Sequence, residues 1–471
     1  MKRTRQHAGL VLSRRGLLGA LGHAFPGIAL LSACASASTS SPTALPSVGV
    51  TTTAATTIPS TAAKPSTAQT SGKQGLTVIS DIDAQGLPLL TKVIDQWNQA
   101  NPQAPASLQG VAGTQYSTKL ETMAAGGALT DVFALSGNDL PRLANSGVPA
   151  TLDALLQQDH YDLSDYVPLP RQRMVWKGAT VALPRGFSNQ CIYWNVDLFD
   201  KMGVAHPPQS WDAAGWDFAG FLDTAQKLTT GSGGGAQYGF TVGTDFVGGW
   251  GQWLYANDAH VFDDQFTHCL VNQPAAVQAL QFMQDLIVKN KVAPTPATLS
   301  TENPLSLFLS GRLAMLFAPV ASVATYRPAK FKWDFAITPK GAGPRVTTAA
   351  AGVYWCANAH TPQLPAAWKL LSYLASPQSE LVLANTYFPA RESVLQKIAT
   401  LDPTLPPTHR QVGIDGQKLA RAFRATPNFA EINAIFTKQF AYLWDGSSTV
   451  ETITTKTVQL VDAYLAAHQS R

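Results

Sequence analysis

The sequence has few cysteines and none of the common hydrolase or nucleotide-binding motifs. Of its 4 cysteines, Cys34 lies near the N-terminus, whereas Cys191, Cys269 and Cys356 are far apart and form no CxxC pair for redox or metal chemistry. This odd, widely spaced trio also disfavours a disulfide framework, so we expect buried free thiols. No Gly-x-Ser-x-Gly elbow, His-Glu-x-x-His zinc motif or Gly-rich phosphate loop followed by Lys-Ser/Thr is present.

Basic runs and long apolar runs are also lacking beyond residue 33. Removing the five basic residues of positions 1–33 from the formal net charge of +4 leaves −1, and nothing in this balance favours nucleic acid as a partner. No later segment reaches the roughly 20 apolar residues that a membrane span needs. The body after residue 74 is too long for one typical core and is natural for two lobes.

Residues 1–33 are typical of an export signal. They carry basic but no acidic residues and then a modest apolar run. Residues 13–18 (SRRGLL) resemble a twin-arginine motif, and the general secretory route stays open. Residues 31–34 (LSAC) resemble a lipobox, which predicts lipidation of Cys34. The alternative is an uncleaved membrane helix, but the run is shorter than about 20 residues and contains Pro26.

Residues 34–74 are predicted to be a disordered tether. The segment is almost entirely Ser, Thr, Ala and Pro, with too few large apolar side chains to offset the entropy of the chain. We therefore expect an extracytoplasmic protein, anchored to the cell membrane by lipid on Cys34 and held away from it by this tether.

Beyond residue 75, apolar strand patterns alternate with amphipathic helix patterns. Strand patterns occur at 76–79, 131–135 and 192–196. Apolar residues recur at helical spacing over 90–97, 116–125, 218–228, 277–287 and 368–374. This order predicts an α/β fold in which helices flank largely parallel sheets.

Five short motifs follow one another over most of residues 76–395. They are Leu183-Pro184 with 192–199 (IYWNVDLF), then 207–212 (PPQSWD), 308–315 (FLSGRLAM), 366–371 (AAWKLL) and 389–394 (PARESV). Together they resemble the family 1 extracellular solute-binding proteins, the maltose-binding-like group that serves ABC importers. Residues 210–217 and the region after 395 depart from the pattern of that family.

The resemblance implies a two-lobed, periplasmic-binding-protein-like α/β fold with a hinge and a ligand cleft between the lobes. Mapped onto this sequence, the first lobe comprises 75–185 plus 338–388, and the second lobe 186–337 plus 389–471. The implied function is that of a monomeric binding protein, without enzymatic activity or cofactor, that captures a sugar or oligosaccharide for the permease subunits of an ABC importer. Contacts from both lobes to one ligand would stabilise the closed form.

Aromatic residues in loops are the first candidates for sugar contacts, because the C–H faces of sugars lie on aromatic rings. Trp250 and Trp253 lie among glycines in the segment 248–253 (GGWGQW), three residues apart. Each could stack on a ligand or pack inside the protein. Tyr354 and Trp355 follow a glycine turn that resembles the family's return to the first lobe, and since they alternate, we favour Trp355 as the one facing the cleft.

Polar residues near strand ends form the second group of candidates, since ligands of open α/β sheets bind there. Asn138 and Asp139 follow a predicted strand, and Asp139 either binds a hydroxyl or caps a helix. Arg391 is either a donor in the cleft or part of a salt bridge near the hinge, and the second is favoured. Comparable loop positions are occupied by Gln115, Tyr116, Phe187 and Asn189.

Two other functions stay open. An exported carbohydrate-active hydrolase would need an acid and a base, and the pairs Asp81/Asp83 and Asp263/Asp264 are available, although solvated turns explain them better. The ligand-binding subunit of a membrane sensor would share the fold. Arg185 and Arg391 are the only basic residues beside the candidate motifs, so a neutral sugar is favoured over a sugar phosphate.

Overall fold

The structure, a computed structural model, describes residues 75–82, 84, 86–111, 113, 115–349, 352–384, 387–399, 405–422 and 426–468. The predicted export signal, tether and lipidated Cys34 lie outside these residues. The strands are β1 (Leu76–Asp81), β2 (Ala106–Val111), β3 (Val132–Ser136), β4 (Val175–Trp176), β5 (Ala179–Thr180), β6 (Leu183–Gly186), β7 (Gln190–Asn195), β8 (Tyr238–Thr241), β9 (Leu313–Pro319), β10 (Trp333–Ala336), β11 (Thr347–Ala349), β12 (Val353–Ala357) and β13 (Ala420–Ala422).

The α-helices alternate with these strands, as the hydrophobic periodicity predicts. They are α1 (Gly86–Ala100), α2 (Gln115–Ala125), α3 (Leu140–Asn145), α4 (Asp153–Gln158), α5 (Pro168–Arg173), α6 (Val196–Met202), α7 (Phe218–Lys227), α8 (Gly251–Ala256), α9 (Pro274–Ile287), α10 (Pro296–Leu299), α11 (Pro304–Leu309), α12 (Val323–Tyr326), α13 (Leu364–Leu374), α14 (Pro377–Leu383), α15 (Glu392–Ala399), α16 (Gln411–Gly416), α17 (Phe429–Trp444) and α18 (Val450–His468). A short π-helical turn, Phe246–Trp250, precedes α8.

The first lobe is built on a five-stranded sheet in the order β2-β1-β3-β12-β6. Helix α1 covers it with the apolar stripe read from the sequence, in which Leu90, Val93, Ile94 and Trp97 are buried. Each such fully buried aliphatic side chain stabilises the fold by roughly 1.5–3 kcal/mol. The core of this lobe draws on residues 76–183 and 354–383.

The second lobe is built on a four-stranded sheet in the order β10-β7-β9-β8. Its core draws on residues 191–346 and 412–465, so α17 and α18 complete it with residues such as Phe436 and Val461. Both sheets are mixed rather than largely parallel. Strands β7 and β12 are antiparallel to their neighbours because each begins where the chain has just crossed from the other lobe.

In the ranges that the structure describes, three crossing segments join the lobes and are hydrogen-bonded to one another, at 187–189, at 347–349 with 352, and at 387–391. The amide of Phe187 donates to the carbonyl of Phe388 at 3.0 Å. The side-chain amide of Gln417 donates to the carbonyls of Phe187 and Pro389 at 3.3 and 3.5 Å. Asn189 pairs with Ala349 through an isolated β-bridge. Among the described residues, no helix is both long enough and apolar enough to cross a membrane.

Candidate functional site

A cavity of about 630 Å³ lies between the two lobes, at matching edges of their sheets. The first lobe contributes Asp81, Ser136 and Gly186, the last residues of β1, β3 and β6. The second lobe contributes Thr241 and Pro319, the last residues of β8 and β9. The cavity therefore occupies the place where ligands of open α/β sheets bind, outside the carboxyl ends of the strands.

Aromatic side chains form much of the apolar wall of this cavity. They are Phe187, Phe317, Tyr326, Tyr387 and Phe388. Two of them are supported from behind: the ring of Phe317 lies 5.5 Å from that of Trp253, and the ring of Tyr326 lies 4.5 Å from that of Tyr193. Because these two rings are packed against other rings, they offer a well-ordered apolar surface on which an apolar ligand face could lie.

Two buried polar side chains line the same cavity. Gln190, at the start of β7, is 1% exposed, and Thr241, at the end of β8, is 5% exposed. Within the part of the chain that the structure describes, neither Oε1 of Gln190 nor Oγ1 of Thr241 has a hydrogen-bond partner. Buried polar atoms are nearly always paired, so these two point to a missing partner.

The charged residues that line the cavity, among those described, are the carboxylates Asp81 and Asp245. Asp245 accepts a hydrogen bond from the amide of Gly248 at 2.7 Å and so caps the π-helical turn. Asp81 forms an ion pair with Arg185, which lies behind it, at 3.0 Å. Burial raises the pKa of Asp81, and the positive charge of Arg185 opposes that rise.

Among the residues predicted from the sequence, Asn138 and Phe187 line the cavity. Asn138 follows β3 and Phe187 follows β6, so both satisfy the strand-end rule. Asp139 does not line it. Its side chain makes no cap hydrogen bond to α3 and lies 3.5 Å from Arg142, and burial raises its pKa.

Trp250 and Trp253 lie in the core of the second lobe instead of the cavity wall. Trp250 is 2% exposed and packs on Phe436 and Phe440, with ring centroids 5.0 and 5.1 Å away. Trp253 is fully buried among five phenylalanines. The neighbouring glycines have a packing reason, because a Cβ on Gly249 would lie 1.9 Å from the carbonyl oxygen of Gly243.

Tyr354 and Trp355 are both buried in the core of the first lobe. The hydroxyl of Tyr354 donates to the carbonyl of Pro170 at 3.3 Å, and Trp355 lies under the guanidinium of Arg185. Both side chains are 0% exposed, and neither is among the residues that line the cavity.

The remaining loop candidates also lie off the cavity wall. Gln115 begins α2 and is exposed to solvent. Tyr116 is buried, and its hydroxyl donates to the carbonyls of Ala134 and Ile79. Asn189 is fully buried between crossing segments, where its side-chain amide donates to the carbonyl of Gln190 at 3.4 Å.

Arg391 is part of a buried network next to the hinge, the alternative that the sequence favoured. Its Nη2 donates to the hydroxyls of Tyr161 and Tyr166 at 2.6 and 2.8 Å. Its Nη1 meets Asp165 at 3.3 Å, and its Nε donates to the carbonyl of Ala375 at 3.0 Å. Glu380 completes the network, and burial raises its pKa to about 8 despite the nearby positive charge.

Several cavity residues were missed by the sequence analysis. Asp81, Gln190, Thr241 and Tyr387 carry no motif. Asp81 and Thr241 are the last residues of β1 and β8, but no strand pattern read from the sequence ends at either of them. No group of three or more potential metal ligands occurs among the described residues.

Comparisons with known proteins match this chain to one family of binding proteins. The model of the bacterial extracellular solute-binding protein family matches residues 83–380. A binding protein of Brucella abortus (strain 2308) is 24% identical over 308 residues, which cover 63% of this chain and 70% of the relative.

Two solved structures share the fold over nearly their whole length. An ABC substrate-binding protein of Listeria monocytogenes in complex with cycloalternan has a TM-score of 0.74 and 23% identity, covering 83% of this chain and 99% of the other. An ABC transporter solute-binding protein of Thermotoga lettingae bound with α-D-tagatose has a TM-score of 0.69 and 21% identity, covering 83% of this chain and 100% of the other. The chain therefore has the two-lobed architecture of these proteins.

Proposed function

The chain belongs to the bacterial extracellular solute-binding proteins, and we propose that it captures a neutral sugar or oligosaccharide between its lobes and delivers it to an ABC importer. The observation that carries this proposal is the cavity between the lobes, which is lined by aromatic rings, carboxylates and two buried polar side chains with unpartnered atoms. The family is one of binding proteins and not of enzymes.

The lining of the cavity suits a carbohydrate. Sugars present hydroxyls around their edge and apolar C–H faces, so they need hydrogen-bonding groups beside aromatic surfaces. Gln190 and Thr241 would find their missing partners in ligand hydroxyls, while Phe317 and Tyr387 offer rings. A volume of about 630 Å³ lies within the range of small-molecule sites, roughly 300–1,000 Å³.

The charges of the cavity favour a neutral ligand over a phosphorylated one. A phosphate would need arginine or lysine side chains, and the described lining residues include neither. Asp81 and Asp245 would instead repel it. The two arginines noted in the sequence are turned away: Arg185 lies behind Asp81, and Arg391 lies within the network beside the hinge.

We expect sugars to bind and sugar phosphates to be rejected. A thermal-shift screen of D-glucose, D-tagatose, maltotriose and cycloalternan, with glucose 6-phosphate as the charged counterpart of glucose, tests this. A sugar at 100 times its Kd stabilises the protein by about 2.7 kcal/mol through mass action. Scattering with the best sugar should show a smaller radius of gyration, because contacts to both lobes favour closure.

Two results would count against this proposal. Preferential binding of glucose 6-phosphate would overturn the neutral-sugar assignment, although the fold would stand. Steady release of product from maltotriose, in proportion to protein concentration, would indicate a hydrolase.

The division into lobes is also proposed at the residue level. We start from the sequence-based division, 75–185 plus 338–388 for the first lobe and 186–337 plus 389–471 for the second, and propose to shift two of its bounds. Gly186 ends β6 of the first sheet and is better placed in the first lobe. Val346 packs in the core of the second lobe, which supports placing the return to the first lobe after this residue and not at 338.

We also propose that the protein is anchored by lipid on Cys34, which the resemblance of residues 31–34 to a lipobox supports. Replacing Cys34 with alanine should move the protein from the membrane to the soluble fraction, because the variant would lack the lipid that is proposed to hold it there. Membrane fractionation with immunodetection measures this, and the conservative variant Ser32→Ala serves as the control that stays bound. Retention of the Cys34→Ala protein on membranes would contradict lipid anchoring.

A further inference from the structure

Arg185 lies in the first lobe directly behind the cavity wall, and only one of its three nitrogens is satisfied. The residue is 2% exposed. Its Nη1 donates to Ser80 Oγ at 2.9 Å and to Asp81 Oδ1 at 3.0 Å. Its Nε and Nη2 are buried and have no hydrogen-bond partner within the described part of the chain. Burying a guanidinium in this way is costly, so a stabilising role alone explains it poorly.

The faces of the guanidinium are covered by two aromatic rings. Its Cζ lies 5.0 Å from the centroid of Trp355, in the core, and 4.2 Å from the centroid of Tyr387, in the cavity wall. A cation held against an aromatic face attracts the ring and limits its rotation. Arg185 thus contacts two cavity-lining groups, the Asp81 carboxylate on its edge and the Tyr387 ring on its face, without reaching the cavity itself.

We propose that Arg185 is a positioning residue for the ligand, which fixes the Asp81 carboxylate and the Tyr387 ring so that they hold the hydroxyl edge and the C–H face of one sugar ring. This inference rests on the proposed function. Asp81 is suited to this part because its side chain is 39% exposed, whereas that of Arg185 is 1% exposed. A carboxylate accepts from two adjacent hydroxyls, and such charge-assisted bonds are the strong ones.

The charged and titratable groups around Asp81 determine how its carboxyl responds to pH. Arg185 faces it from β6, Tyr116 approaches from α2, and Asp245 lies in the opposite wall of the cavity. Burial holds the pKa of the Tyr116 phenol far above neutrality, so Tyr116 stays uncharged. Burial raises the pKa of Asp81 and Arg185 lowers it. Without Arg185, the carboxyl should therefore take up a proton at higher pH.

The first test needs no ligand. The purified full chain is labelled with ¹³C at the aspartate carboxyl carbons, and the Asp81 signal is assigned by its loss in Asp81→Asn. We expect Arg185→Met to raise the titration midpoint of Asp81 by about 1–3 pH units, and Arg185→Lys, which keeps the charge, to raise it less. Arg142→Met is the matched control, since Arg142 pairs with Glu121 and Asp139 away from the cavity. An unchanged Asp81 midpoint in Arg185→Met would overturn the inference.

The second test measures binding by calorimetry, with maltotriose and D-tagatose as probes. At pH 7, Asp81→Asn should weaken binding about 10- to 100-fold, the range for losing a hydrogen bond to a charged group. Arg185→Met should weaken it less at pH 8 than at pH 6, because binding is lost as pH falls through the raised midpoint of Asp81. The double variant should lose less affinity than the two single losses combined, because Arg185 acts partly through Asp81, and any loss beyond that of Asp81→Asn alone measures the part exerted through the Tyr387 ring.

The outcomes separate the inference from the function on which it rests. If the unmodified chain binds neither probe nor any other sugar of the screen, the proposed function fails and the ligand role of Arg185 fails with it. If a sugar binds but the losses from Asp81→Asn and Arg185→Met simply add, only the inference is overturned. Should Arg185→Met fail to fold, Arg185→Lys is compared with Asp81→Asn in the same way. Lysine keeps the positive charge but lacks the planar guanidinium that stacks on the Tyr387 ring.

Discussion

Replacing Arg391 with alanine is expected to lower the free energy of unfolding by about 3–5 kcal/mol, the cost of breaking a buried ion pair on one side. The side chain is 5% exposed and holds Tyr161, Tyr166, Asp165 and the carbonyl of Ala375 together. Its loss would leave these donors and acceptors without their shared partner. Denaturant unfolding followed by circular dichroism measures the loss.

The deficit of Arg391→Ala should grow as pH rises. Glu380 has a folded pKa of about 8, above its value in the unfolded chain, so the folded protein loses stability as pH rises through this range. Arg391 reduces that loss of stability because its positive charge stabilises the ionised carboxylate of Glu380. In Arg391→Ala this stabilisation is absent. The difference between the two proteins should therefore be larger at pH 9 than at pH 6.

The matched control for this prediction is Arg142→Ala. Arg142 pairs with Glu121 at 2.6 Å, but their side chains are 37% and 47% exposed, so removal should cost at most about 1 kcal/mol. If both variants lost the same small amount, the network around Arg391 would contribute no more than a surface ion pair.

Replacing Trp253 with alanine should also cost about 3–5 kcal/mol, here because a large cavity would open in the core of the second lobe. The indole is fully buried. It packs against Phe218, Phe221, Phe240, Phe282 and Phe317, with ring centroids 5.1 to 6.0 Å away. These rings cannot close over the missing volume without giving up their own contacts. Thermal and denaturant unfolding measure the change.

A second measurement on the same variant decides between packing and ligand stacking. Tyr442→Ala, at a position on α17 that is 44% exposed, provides an aromatic control with little expected effect on stability. A core role for Trp253 predicts a large loss of stability, with any change in maltotriose affinity arising indirectly through Phe317. A normal stability with affinity lowered by about 1–3 kcal/mol would instead restore the sequence-based stacking assignment.

Much of the fold could be predicted from the sequence because its signals are local. The stripe from Leu90 to Trp97 in α1 and the apolar run of β3 each report burial through spacing alone. The two-lobed arrangement came from the family resemblance, since no local pattern shows that the chain, having left the first sheet at Gly186, returns to it with β12 at Val353. The antiparallel directions of β7 and β12 depend on those same crossings and were missed for this reason.

The site was harder to predict because its residues come together only in the folded chain and share no local sequence pattern. Asn138 and Phe187 were found by a rule about strand ends, which is topological. Trp250 and Trp253 were selected because they lie among glycines, yet Gly249 and Gly251 have no room for a side chain next to Gly243 and Phe246. These glycines are needed for tight packing, but the sequence alone does not distinguish a tightly packed glycine from one in an open loop. Gln190 and Thr241 sit in buried strands, where nothing in the sequence separates a cavity-lining residue from its neighbours.

The buried thiols of this protein make it convenient for optical measurement. Cys191, Cys269 and Cys356 are free and buried, and burial raises the pKa of each, that of Cys269 to about 12, so they hold little of the reactive thiolate. In the Cys34→Ala chain, a maleimide dye would therefore prefer cysteines introduced at the surface, such as Lys92→Cys on α1 and Lys289→Cys beyond α9. With one dye on each lobe, energy transfer would report the approach of the lobes in real time, and the protein would become a sensor for whichever solute it binds.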